Sequence, residues 1–371
     1  SHSKKRLIAA SALFDSVLAN TDDTELLRWL EIIETSEVTT FTVEGKAQAA
    51  QIFTLQNSRG KELTKLEELK AFLMFGVYIN AHGRACDNFI GTIERSFERI
   101  YGHIEQLTLT YAPGGAKEDV VLTHHHNAYA RHSGTAVESL RQEVGALTER
   151  SAKAQTLADY AQALADTFEH VVALEQLMAQ DDLLADPIIL DGHNAWPLLI
   201  KLYRHFGAAI RTTEWCRELL QNTEITLFKL EFQHGRSSNY LISVTREFNG
   251  SDASIAALNQ RLRSCVNHGF RGRQDFDANV HNHLEGNYHN DRTYRYALWK
   301  YENSLRSTTD RKLSPAEYLS VEDRRMAPTI EHIAPQNGTM TRSWATIRRP
   351  PRWSPYSSAP HCVCTATASS R

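Results

Sequence analysis

No stretch of this 371-residue chain approaches the ~20 consecutive apolar residues that a membrane-spanning helix needs, so no span is expected. An excess of basic charge is also missing. Lys and Arg number 41 against 44 Asp and Glu, a net charge of −3. That excludes an overall basic coat for nucleic acid, while a local basic groove stays compatible. Cysteine is scarce. Cys86, Cys216 and Cys265 stand alone in apolar or helical context, which fits reduced thiols in a cytosol better than a disulfide framework. Cys362-Val363-Cys364 has no second pair to complete a zinc site. No fixed-period repeat is present. The chain does not open on Met, and is expected to begin inside a larger protein. Its start, Lys4-Lys5-Arg6 before an apolar run to Phe14, resembles a signal peptide. The run stops at Asp15 and continues as an amphipathic helix, which is the preferred reading. A cytoplasmic protein is expected.

What is present is an ordinary globular composition, 42% hydrophobic and 23% charged. The length allows two or three domains at roughly 150 residues each. A core that large needs no staples. Residues 1–37 read as helix, with Leu7, Leu13, Phe14, Val17 and Leu18 on one side. Residues 38–43 alternate and are β-branched, which predicts a strand. Residues 44–55 read as helix. Thr64 precedes Glu67 at capping-box spacing. Leu66, Leu69, Leu73 and Val77 then form a buried stripe. A further helix is expected over 87–107, and Tyr111 to Gly115 as a linker. From 117 to 221 the pattern is almost wholly helical. Leu157, Ala161, Leu164, Phe168, Val171 and Leu174 make one stripe, and Asp186-Pro187 and Trp196-Pro197 are expected to interrupt the run. Residues 224–232 are ambiguous between strand and helix. Residues 235–239 read as a loop, and helix is expected over 254–266 and 293–303.

Composition shifts near the end. No Asp or Glu follows Glu331, and no Lys follows Lys312. Residues 341–371 read either as a disordered tail or as out-of-frame translation.

Two segments carry chemistry. The first runs from Ile52 to Leu69 and reads as helix, tight turn, capped helix. Asn57, Arg59 and Lys61 cluster polar and cationic groups at the turn, and Gly60 permits close backbone approach. Free N–H groups at the next helix start would suit a phosphate. The plainer alternative is that Gly60 only makes the turn and Arg59 pairs with a nearby acid. The second segment is Thr329-Ile330-Glu331-His332-Ile333-Ala334-Pro335-Gln336-Asn337. A carboxylate beside an imidazole can divide labour in a one-metal nuclease, with the acid holding a hard cation and the His taking a proton from water. A Glu-His dipeptide alone is weak evidence.

Other clusters are given plainer readings. Thr123-His124-His125-His126-Asn127 reads as a solvated helix segment, because adjacent helical positions point in different directions and cannot converge on one ion. His281, His283 and His289 are read as a polar helical region. Arg261, Arg263, Arg271 and Arg273 make the best basic patch, either a phosphate contact or a solvated face.

Together and in this order, the two segments resemble a known family. The Phe53/Asn57/Arg59-Gly60/Leu63 pattern, with Leu69 and Lys70 following, resembles the end of the ParB-like domain of GmrSD-type restriction systems. Residues 295–302 resemble the helix before the family's nuclease motif, and residues 329–337 the opening of its HNH-like domain. The resemblance implies an endonuclease of a prokaryotic defence system that restricts DNA carrying modified bases or a modified backbone. It implies a nucleoside triphosphate bound near Asn57, Arg59 and Gly60. It also implies His332 as general base and Glu331 as ligand to a divalent metal such as Mg²⁺, while Arg261, Arg271 and Arg273 are candidates for DNA contact from the basic patch alone. Modified double-stranded DNA is the implied partner, with a homodimer or partner subunit. The family's nucleotide-hydrolysis motif is absent here. So is the glycine-asparagine-leucine continuation with its later asparagines, so catalysis is expected to be incomplete.

The expected fold is therefore mainly α. Residues 1–112 would be the remnant of an α+β ParB-like domain, 113–222 a helical middle domain, and 223–340 an incomplete ββα-metal nuclease domain ahead of the tail. The alternatives are a non-catalytic DNA-binding or regulatory fragment of such a system, or a helical interaction protein.

Overall fold

The computed structural model describes residues 2–38, 64–108, 116–234, 240–268, 292–306 and 312–313. Among these residues every regular element is helical and no strand occurs, so the chain is mainly α. It divides into two units, Ser1–Gln274 and Asp275–Arg371.

Residues 1–37 were expected as one helix and form two, α1 (His2–Ala19) and α2 (Asp23–Thr35). Local polar side chains make the break. Asp22 is extended, and its Oδ1 accepts the N–H groups of Thr24 at 2.9 Å and Glu25 at 3.0 Å. That is an N-cap, which starts a second helix. At the end of α1, Asn20 and Thr21 donate to the carbonyls of Ser16 and Val17, both at 2.7 Å. From residue 39 the strand expected over 38–43 lies outside the described residues, as does the helix over 44–55.

Helix α3 (Lys65–Asn80) begins with the expected capping box. Glu67 N–H donates to Thr64 Oγ1 at 3.3 Å, and Thr64 N–H donates to Glu67 Oε2 at 3.0 Å. Leu66, Leu69, Leu73 and Val77 are buried. Helix α4 (Gly83–Ile104) starts four residues before the expected position and buries Ile90, Ile93, Phe97 and Ile100 at helical spacing.

Three further helices complete the centre of this unit: α5 (Lys117–Tyr129), α6 (Ala136–Gly145) and α7 (Arg150–Met178). The whole expected α7 stripe, from Leu157 to Leu174, is buried. Helices α3 to α6 all pack against α7. Gly76 on α3 admits the closest approach, because a Cβ there would lie 2.5 Å from Leu157 Cδ1.

Helix α8 (Asp182–Phe206) corrects the expectation for the prolines. Pro187 and Pro197 both lie inside helical backbone. The kink falls between them at Asp191 (φ −151°, ψ 83°). Asp191 Oδ1 accepts the N–H of Asn194 at 3.3 Å, so the kink is a capped restart. A 3₁₀ turn (Gly207–Arg211) leads to α9 (Glu214–His234), which settles residues 224–232 as helix. Leu219, Leu220, Thr223, Thr226, Leu227 and Leu230 are buried at helical spacing there.

Helices α10 (Tyr240–Glu247) and α11 (Asp252–His268) close this unit. The amine of Lys201 on α8 is buried at the end of α10. It donates to the carbonyls of Thr245 at 2.8 Å, Arg246 at 3.2 Å and Phe248 at 2.7 Å. A cation on the last carbonyls of a helix is favoured by its dipole. Burial pushes the amine down to about 8, with Arg204 and Arg246 adding to the fall.

In the second unit, α12 (Arg292–Leu305) buries Tyr296 and Trp299. Trp299 Nε1 and Asn303 Nδ2 both donate to the carbonyl of Leu313 at 2.9 Å. Among the described residues, no helix is long and apolar enough to cross a membrane.

Candidate functional site

The triple histidine of α5 was expected on a solvated face, and the structure overturns that. His124 and His125 are only 3% and 2% exposed. The helical period explains it. Val121, His124, His125 and Ala128 stand at i, i+3, i+4 and i+7, so they share the face turned to the core. His124 stacks on Trp196 with centroids 6.0 Å apart, and neither ring nitrogen has a hydrogen-bond partner. Burial, with His193 adding, pushes its pKa down to about 3.

His125 is anchored through its Nδ1, which lies 2.7 Å from Thr167 Oγ1. The same hydroxyl lies 3.0 Å from the carbonyl of Ala163. A hydroxyl serves as donor or acceptor, so the contact holds the ring with either of its nitrogens carrying the proton. Burial, followed by His126 and Arg204, pushes the pKa to about 3, so the ring is neutral at neutral pH.

Beside His125 lies a cavity of about 400 Å³, formed by the end of α5, by α6 and α7, and by Arg204 of α8. Aromatic rings build one wall. His125 sits 5.0 Å from Tyr129 and meets Tyr160 edge-on at 5.1 Å. The Tyr160 hydroxyl is buried and has no hydrogen-bond partner. Burial raises its pKa and the Glu143 carboxylate raises it further, so the phenol stays protonated. Charged groups complete the lining. Arg204 lies 5.5 Å from the Tyr129 ring centre. Arg131 Nη1 is 3.7 Å from Glu143 Oε1. Asp159 Oδ1 accepts from Gln155 Nε2 at 2.6 Å. Burial lowers the His126 pKa, Arg246 adds to the fall, and a hydrogen bond to the Gly134 backbone opposes it. The wall thus offers neutral donors and acceptors between balanced charges. That chemistry suits holding a ligand rather than attacking one.

The residues singled out from sequence fare differently. Arg261 is paired, its Nη2 2.7 Å from Glu247 Oε2. Arg263 Nε donates to Glu218 Oε1 at 2.9 Å. The described part of the basic patch is therefore a set of exposed ion pairs. Arg271 and Arg273 lie outside the described residues. So do Asn57, Arg59 and Gly60, Glu331 and His332, His281, His283 and His289, and Cys362 and Cys364. The start of α3, expected to offer N–H groups to a phosphate, uses several of them within the chain. Leu66 N–H donates to Asp119 Oδ1 at 3.3 Å, beside the Glu67 and Thr64 bonds. Among the described residues, no group of three or more His, Cys, Asp and Glu side chains is placed to hold a metal.

Sequence reasoning missed the cavity. Its one signal was the apolar period through Val121 and Ala128, which carries His125 inward. Tyr160 and Arg204 gave none, because they come from helices brought together only by the fold. Comparison with known protein families, curated proteins and solved structures finds no match to this chain.

Proposed function

We propose that the chain is part of a GmrSD-type restriction endonuclease that cuts DNA carrying modified bases or a modified backbone. One observation carries this reading: the run Thr329-Ile330-Glu331-His332-Ile333-Ala334-Pro335-Gln336-Asn337. The earlier Asn57, Arg59-Gly60 pattern, in the family's order, supports it, as does a mainly helical stretch between the two. In this reading residues before 113 are the remnant of an α+β ParB-like nucleotide-binding domain. An incomplete HNH-like domain of ββα-metal type, expected over residues 223–340, falls in this reading to the part beyond Gln274, because α9, α10 and α11 are helices of the first unit. The protein acts in the cytoplasm on modified duplex DNA, with a second copy or a partner subunit.

His332 takes the proton of the attacking water, and Glu331 supplies a hard oxygen to a divalent cation such as Mg²⁺. The cation supplies charge stabilisation at the scissile phosphate. Asn57, Arg59 and Gly60 face a nucleoside triphosphate, and Arg261, Arg271 and Arg273 lie along the DNA. The donor set fits a cation only in part. Glu331 is one ligand, and residues 338–371 lack the glycine-asparagine-leucine continuation and the later asparagines of the family. A general base by itself contributes only about 10²–10⁴-fold.

The test is cleavage of modified and unmodified plasmid DNA with Mg²⁺ and nucleoside triphosphate. This chain is compared with a version carrying the family continuation after Asn337. The expected result is slow or no cleavage by the chain as it stands, and cleavage of the modified plasmid alone by the restored version. Failure of the restored version on every modified plasmid overturns the nuclease reading. A second reading, a non-catalytic DNA-binding or regulatory fragment of such a system, is favoured by the lack of the family's continuation in residues 338–371. Under it, both versions bind modified DNA and neither cuts.

A further inference from the structure

Among the described residues, α1 and α2 carry the least covered apolar surface. Eleven large apolar residues from Leu7 to Val38 are exposed, between 40% at Val17 and 86% at Val38. In the rest of this unit, among the described residues, only Ile79 and Ile225 join them. Neither helix packs closely on the core helices or on the other, again among the described residues. A helix draws most of its stability from burying its apolar face, so both lack cover that they need. At roughly 80 Å² of exposed apolar surface each, these residues offer on the order of 900 Å². An ordinary monomer shows only ~300–600 Å² in its largest apolar patch. Each partner in a stable complex buries ~800 Å².

Pattern and charge select the partner. Leu7, Ala10, Phe14 and Val17 recur on α1 at alternating three- and four-residue steps, and Leu26, Trp29 and Ile33 do so on α2. That is the spacing of a seam between two packed helices. The charges of the two helices are opposite. Lys4, Lys5 and Arg6 open α1, with Asp15 as its only acid. Six acids lie from Asp22 to Glu37, with Arg28 as the only cation. Helix α1 of one copy is therefore attracted to α2 of another, while two α2 helices repel. An anionic membrane surface would attract α1 and repel α2.

We propose that α1 and α2 form the docking surface for a second copy of this chain, with α1 of each copy seated on α2 of the other. A two-fold pair makes that contact twice. Pairing of this kind is independent of whether the chain cuts DNA. Because neither helix packs closely on the core, it changes the mass of the particle and leaves the main unfolding midpoint in place.

The test is sedimentation equilibrium of the full chain at about 50 µM, above the micromolar end of the affinities usual for such an area. A mass twice the 42.0 kDa of one chain is expected. Phe14→Glu combined with Ile33→Glu should return the particle to the mass of one chain, with the main unfolding midpoint kept. Charge exchange decides the pairing. Lys4→Glu with Lys5→Glu should weaken self-association at least tenfold. So should Glu31→Lys with Glu34→Lys and Glu37→Lys, made in a separate chain. An equimolar mixture of these two charge variants should pair again, because each α1 then meets an α2 of opposite charge. A chain that sediments as a single copy overturns the proposal, whether or not it binds anionic vesicles. So does a double-mass particle that survives Phe14→Glu with Ile33→Glu, or a mixture that pairs no better than either charge variant alone.

Discussion

The α1–α2 pair and α7 both carry apolar residues at helical spacing, yet Phe14 on α1 is 65% exposed while Phe168 on α7 is 0% exposed. Leu7, Leu13, Leu27 and Ile33 on the first pair are exposed as Phe14 is. On α7, the stripe from Leu157 to Leu174 is covered by neighbouring helices. Local pattern decides that a segment is helical and which side is apolar. Cover for that side comes from other segments. Burial, and with it most of the stabilisation, is therefore a property of the assembled core rather than of the stripe.

The comparison is sharpest in truncation. Phe168→Ala is expected to destabilise the chain by about 3–5 kcal/mol, the usual effect of emptying a packed aromatic site. Phe14→Ala is expected to stay within about 0.5 kcal/mol, as for a surface position. Urea unfolding of both variants checks this, and equal losses would break the comparison.

The buried histidines give the next largest effect. His124 and His125 have folded values near 3, below the ordinary 6.5 of the unfolded chain. Between about pH 3 and 6.5 the unfolded chain therefore binds more protons than the folded one. Their contribution is whole above 6.5 and is lost as pH falls through that window. From pH 7 to pH 5 each removes about 2 kcal/mol, at about 1.4 kcal/mol per pH unit. Urea midpoints at the two pH values should show this fall, and His124→Phe should remove about half of it.

Lys201→Met deletes three donors from the end of α10. It is expected to cost about 1–3 kcal/mol through carbonyls left without partners, read as a lower melting temperature. The smallest pair of effects concerns caps. Thr64→Ala should cost about 1 kcal/mol of global stability, because α3 belongs to the core. Asp22→Ala removes a comparable cap from the exposed pair. Circular dichroism should show lost helix with the main unfolding midpoint unchanged.

Much of the fold was legible because its signals are local. Thr64 and Glu67 announce the α3 start, and the Leu157 to Leu174 stripe announces α7. Errors arose where a local rule met a competing one. Asp22 splits the first helix because its carboxylate caps a new one. Pro187 and Pro197 stay helical, and the break moves to Asp191, whose side chain caps the restart. Residues 224–232 look β-branched in part, but Leu219, Thr223, Leu227 and Leu230 hold them to a helical face. The histidines of α5 were misjudged by residue type, when position relative to Val121 and Ala128 decides their burial. The cavity was illegible, since Tyr160, Glu143 and Arg204 meet only after four helices pack. The run proposed as a nuclease motif, residues 329–337, is the reverse case: it was read from sequence and lies outside the described residues.

The most direct test of the proposed function is single-turnover, Mg²⁺-dependent cleavage of modified plasmid by the restored chain and by its His332→Ala variant. Loss of a general base should slow cleavage by about 10²–10⁴-fold while DNA binding is kept. An unchanged rate in the variant would contradict the assignment of His332, and with it the reading of the chain as a nuclease.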